Sequence, residues 1–103
     1  MATTYVEFGA AYASDNAIAL HVLMPNASEE LAVSSTAAVT SASATPTAAA
    51  LMGVARVTTD SDIWLVSGAD PDPSTAPRRV LLAGGSIDLL VPAGHKIAVK
   101  ALD

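Results

Sequence analysis

The sequence predicts a small all-β domain, a β-sandwich or partial barrel of about seven or eight short antiparallel strands. Three observations predict it. Apolar residues recur at alternate positions over short runs, Gly, Pro, Asp and Asn punctuate those runs, and no long stretch carries a helical period. With 103 residues the chain suits one domain and one core.

The elements follow in order. Val6 and Phe8 oppose Tyr5 and Glu7 and mark a short first strand. Ile18, Leu20, Val22 and Met24 share one parity and mark the next, which Pro25-Asn26 ends. Over residues 27–50 two readings compete. Asn26 and Glu29 have the spacing of a capping box for a short helix over 29–33. Against it stand the β-branched and hydroxyl residues Val33-Ser34-Ser35-Thr36 and Val39-Thr40, and the alternation of Leu31, Val33 and Ser35 with Glu30 and Ser34. Strand is the expectation. Residues 41–47 are small and of low complexity, a loop.

The C-terminal half is clearer. Residues 52–59 read as a strand and Asp60-Ser61-Asp62 as a tight turn. Ile63-Trp64-Leu65-Val66 is apolar on both faces and is expected to be central. Residues 68–77 carry three prolines, which remove ladder donors, so an exposed loop is expected there. Residues 78–82, 86–91 and 95–102 complete the strands, separated by Gly84-Gly85 and Pro92-Ala93-Gly94. In the last strand Ile97 and Val99 face one way, Lys96 and Lys100 the other.

Residues 1–15 are expected to form an N-terminal segment and 16–103 the sandwich domain. Tyr5, Phe8 and Tyr12 put three of the four aromatics in the first dozen residues. A first strand of the domain explains that; so does an arm reaching onto a neighbouring chain, because aromatics anchor interfaces. Both readings stand. Aromatics are only 4% of the chain and much of its apolar fraction is Ala, so burial by neighbouring copies, a homo-oligomer, is expected.

Composition narrows the function classes. The formal charge is −5, and Arg78-Arg79 is the one basic pair, which argues against nucleic acid. No Cys is present, so disulfides and thiolate metal sites are excluded. No apolar run approaches the roughly 20 residues needed to span a bilayer, and the first residues lack the pattern of a signal peptide.

Candidate chemistry is sparse. Asp60, Asp62, Asp70 and Asp72 can offer oxygen ligands to a hard cation, but they lack the spacing of a calcium loop and read better as turn initiators. His21 and His95 have no nucleophile motif beside them and read as ordinary polar side chains. Gly84-Gly85-Ser86 is too short to cradle a phosphate and reads as a hairpin or bulge turn. Trp64, between Ile63 and Leu65, is expected in the core. Arg56, Arg78 and Arg79 read as a solvated strand face or as partners for acidic groups on a neighbour. No catalytic, cofactor or metal site is expected; the candidate interface residues are Tyr5, Phe8, Tyr12, Arg78 and Arg79.

The half from Leu51 onward resembles small proteins encoded among the structural genes of tailed bacteriophages. The resemblance lies in Ala55-Arg56-Val57-Thr58-Thr59-Asp60-Ser61-Asp62-Ile63-Trp64-Leu65, in Gly68-Ala69-Asp70-Pro71, in Leu82-Ala83-Gly84-Gly85-Ser86, and in Val91-Pro92-Ala93-Gly94-His95-Lys96-Ile97-Ala98-Val99. It implies a virion structural protein assembled in the bacterial host cytoplasm, foremost a capsid decoration protein that binds the major capsid protein non-covalently and can form trimers. The alternative it implies is a tail, fibre or head–tail accessory module that binds carbohydrate or a receptor.

Overall fold

The computed structural model describes residues 2–12, 27–44 and 51–102. Eight strands are present among them: β1 (Thr3–Tyr12), β2 (Ala27–Ala32), β3 (Ala38–Val39), β4 (Leu51–Thr59), β5 (Ile63–Gly68), β6 (Arg79–Leu81), β7 (Ser86–Leu90) and β8 (Lys96–Ala101). They form two antiparallel four-stranded sheets, ordered β2-β1-β4-β7 and β3-β8-β5-β6. The all-β expectation holds, and strand, not helix, occupies residues 29–32. The strand expected over 18–24 lies outside the described residues.

Alternation builds the core. From the first sheet Val6, Phe8, Ala55 and Val57 point inward; from the second, Ile63, Leu65, Ile97 and Val99 meet them in one buried cluster. Phe8 is the largest fully buried side chain. At about 25 cal/mol per Å² of apolar area, side chains of this size contribute roughly 1.5–3 kcal/mol each. The inward residues that β5 and β8 give to the core cluster, Ile63, Leu65, Ile97 and Val99, have branched shapes that suit a pleated surface.

Of the two readings of the aromatic-rich start, the fold shows a strand of the domain. β1 lies between β2 and β4 and pairs with β4 from Thr4↔Thr59 to Tyr12↔Leu51. Its backbone is an interior rung of the first sheet. Thr4 and Thr59 face inward and satisfy each other at 3.1 Å. Since the Thr59 hydroxyl donates to the Ser61 carbonyl at 2.8 Å, Thr4 is left as the donor within the pair.

Polar side chains tie the connections down. The Thr40 hydroxyl donates to the Ala42 carbonyl at 2.8 Å and accepts the Ile97 amide at 3.2 Å. Asp60 accepts the Thr3 amide at 2.7 Å, and Asp62 the Ala83 amide at 2.9 Å. These aspartates were expected to bond within their own turn; both reach distant segments instead. The turn they flank carries the chain from β4 in one sheet to β5 in the other.

Gly84-Gly85 is likewise not a hairpin turn, because β6 and β7 belong to different sheets. Gly84 has φ +81°, a conformation that disfavours a side chain, and its amide bonds the Thr59 carbonyl at 2.9 Å. Close approach explains Gly53: a Cβ there would collide with the Val91 carbonyl oxygen. The Val91 amide bonds the Gly53 carbonyl at 2.8 Å, prolonging the contact between β4 and the segment after β7.

Candidate functional site

The outward faces of the two sheets differ in chemistry. On β5, Ile63 and Leu65 are buried while Trp64 and Val66 face out, so Trp64 is not the core aromatic expected. Register places Lys100 on β8 and Val80 on β6 on either side of Trp64. Val39 on β3 pairs with Ala98, and Ala98 with Val66, which continues an apolar strip across the sheet. Val39 and Val80 are each 44% exposed, and Leu82, just past β6, is 60% exposed.

Arg78 caps this strip. Its guanidinium carbon lies 3.8 Å from the centroid of the Trp64 ring, and Nη1 donates to the Pro73 carbonyl at 3.1 Å. The attraction of a cation for an aromatic face holds both groups and the loop after β5 in one arrangement. That loop is less exposed than its prolines suggested, since Pro71 and Pro73 are buried. Asp72 orders it: its carboxylate accepts the Ser74 amide at 2.9 Å and the Thr75 hydroxyl at 2.8 Å. The Ser74 amide, then the Thr75 hydroxyl and the charge of Lys100, pull the Asp72 carboxyl below its ordinary value. Arg79 is exposed on the edge strand β6 and pairs in register with Leu65. A charge on an edge strand discourages unwanted strand pairing.

The first sheet presents a polar, net acidic face. Tyr5, 44% exposed, lies between Glu30 on β2 and Thr58 on β4; Glu7 follows beside Ser28 and Arg56. Tyr5, Glu7, Ser28, Glu30 and Thr58 border a shallow depression of about 630 Å³. Arg56 grips Asp88 across β4 and β7 through two bonds, Nε to Oδ1 at 2.8 Å and Nη2 to Oδ2 at 3.0 Å. That hydrogen bonding is the main reason the Asp88 carboxyl sits below its ordinary value.

Between the edge strands β2 and β3, Glu29 joins β2 to the segment after β3. Oε1 accepts the Ser41 amide and hydroxyl, both at 3.0 Å, and Oε2 the Ala42 amide at 2.7 Å. Burial alone would raise this carboxyl; the Ser41 and Ala42 bonds, helped by the charge of Lys96, overcome it and lower it.

The candidate interface residues therefore do not form one site. Tyr5 is on the first face, Arg78 and Arg79 belong to the second sheet, and Tyr12 ends β1 opposite Leu51. Phe8 is removed from the set, because it is wholly buried in the chain's own core. Val39, Val80 and Leu82 were missed. Strict alternation with Leu81 would have flagged Val80, but next to Arg78-Arg79 it read only as part of a strand. Among the described residues no group of three His, Asp or Glu side chains is placed to hold a metal ion. His95 is half-buried at the start of β8, and His21 lies outside the described residues. Compared with protein families, curated proteins and solved structures, the chain matches none.

Proposed function

We propose that this chain is a virion structural protein of a tailed bacteriophage, a decoration module that docks non-covalently on major capsid subunits. Its side chains serve as contacts and not as reagents. The phage setting comes from the sequence resemblance of the half from Leu51 onward. The observation that carries the docking role is the second sheet's outward face. There exposed Val39 and Val80 share the face with an Arg78–Trp64 stack and two lysines, and exposed Leu82 follows just past β6. Apolar side chains with Trp and Arg among them are the composition of interface hot spots.

The carbohydrate- or receptor-binding alternative is less well supported. A sugar-stacking platform needs an open ring face, and Arg78 covers one face of Trp64. The Asp72 carboxylate that a sugar hydroxyl would address is already engaged by Ser74 and Thr75.

The test is to sediment undecorated capsids with increasing purified protein. Saturable co-sedimentation that Val80→Asp weakens is the expected result. Absence of saturable binding, with the fold intact, overturns the reading.

A further inference from the structure

The outward faces of the two sheets differ in charge and in apolar content. Four of the chain's five basic residues, Arg78, Arg79, Lys96 and Lys100, belong to the second sheet or its border. Three of them, Arg78, Lys96 and Lys100, lie on its outward side, two by register and Arg78 by its stack on Trp64. On the first sheet's outward side Glu7, Glu30 and Asp88 outnumber Arg56. Asp72 borders the second face near Lys100 and offsets part of its charge, which leaves that face net cationic and the first net anionic among the described residues.

The apolar groups are divided in the same way. Of the four exposed large apolar side chains among the described residues, Val39 and Val80 belong to the cationic side, Tyr5 to the anionic side, and Leu82 lies just past β6. One row of the cationic face runs Lys100, Trp64, Val80; one row of the anionic face runs Glu30, Tyr5, Thr58. Each row sets an aromatic beside a charge, with opposite signs. The depression around Tyr5 and Glu30 gives the anionic face room to receive side chains of another copy.

We propose that copies of this chain associate head to tail, the Lys100–Trp64–Val80 face of one copy seating on the Glu30–Tyr5 face of the next. Contact between two different patches is heterologous, so it propagates into a ring or a stack and does not stop at a symmetric dimer. Complementary potentials select this pairing over the two self-pairings, which would oppose cation to cation or carboxylate to carboxylate. The contact uses the same face as the proposed docking on capsids, so the two compete for it; sedimentation without capsids reads self-association alone, and co-sedimentation with capsids reads docking.

The test uses two variants, each broken on one face. Val80→Asp with Lys100→Glu removes the cationic face; Tyr5→Ser with Glu30→Lys removes the anionic face. Far-UV circular dichroism checks the fold of each. In sedimentation velocity over a concentration series, the wild-type mass is expected to grow with concentration and to fall with added salt. Each double variant alone is expected to associate at least about tenfold more weakly. Mixed together, the two retain one good face each and are expected to form a one-to-one complex that grows no further. Should a double variant unfold, Val80→Asp and Glu30→Lys alone give the same readout. A wild type that stays monomeric, an anionic-face variant that associates like the wild type, or a mixture that stays monomeric would each overturn the proposal.

Discussion

Replacing Glu29 by Gln keeps the shape of the side chain and removes its charge. In the native chain Glu29 accepts three hydrogen bonds, two from backbone amides, and joins the β2 edge to the segment that leaves β3. Gln retains one acceptor oxygen but presents an NH₂ group where Oε2 meets the Ala42 amide at 2.7 Å, so donor faces donor. Hydrogen bonds to a charged group are worth about 1.5–3 kcal/mol, and partial exposure reduces that. The expected loss is about 1–2 kcal/mol near neutral pH, a fall in Tm of about 4–8 °C per kcal/mol for a domain of this size. The pH dependence provides a sharper check. The folded carboxyl is lowered from its ordinary value of 4.5, so its contribution is fully present above that value and is lost as pH falls through the folded pKa. Below it the protonated wild type resembles the Gln variant. Urea unfolding of both proteins at about pH 7 and about pH 3 should show the gap closing. A gap that is absent at the higher pH, or unchanged at the lower, would refute the assignment of Glu29 as a charged clasp.

Three further outcomes follow from the packing. Phe8→Ala removes the largest buried side chain and should cost about 3–5 kcal/mol, most of the margin of a small domain; urea unfolding checks it, and a change under about 1 kcal/mol would return Phe8 to the surface. Gly53→Ala drives a methyl group into the Val91 carbonyl oxygen and should destabilise by about 1–3 kcal/mol, with hydrogen exchange at the Val91 amide accelerating. Ser61 buries a hydroxyl oxygen that has no hydrogen-bond partner, so Ser61→Ala should leave stability within about 0.5 kcal/mol or raise it slightly in the same unfolding assay.

Strand positions were legible because period-2 alternation is local. Residues 52–59, 63–66 and 95–102 were expected as strands and are found as β4, β5 and β8 with small shifts at their ends. Which sheet a strand joins was not legible, because a Gly or Asp turn looks alike whether it closes a hairpin or carries the chain across the core. Gly84-Gly85 was misread for that reason. Trp64 was misplaced because its apolar neighbours are the inward residues, while its own parity puts it outside under Arg78. The two charged faces were half visible. Lys96 and Lys100 were seen opposite Ile97 and Val99, but their position beside Trp64 and Val80 depends on pairings between strands far apart in sequence.

The chain path has a consequence for how this molecule is made. Among the described residues, five of the seven links between successive strands pass from one sheet to the other. The first strand, β1, waits for β4 to flank it, and the last, β8, fills the gap between β3 and β5. During synthesis the second sheet lacks an inner member until β8 has emerged, so this architecture cannot close before residues 96–101 are available. Deletion of residues 97–101 would remove most of β8 and leave β3 without its ladder, abolishing the architecture instead of trimming it.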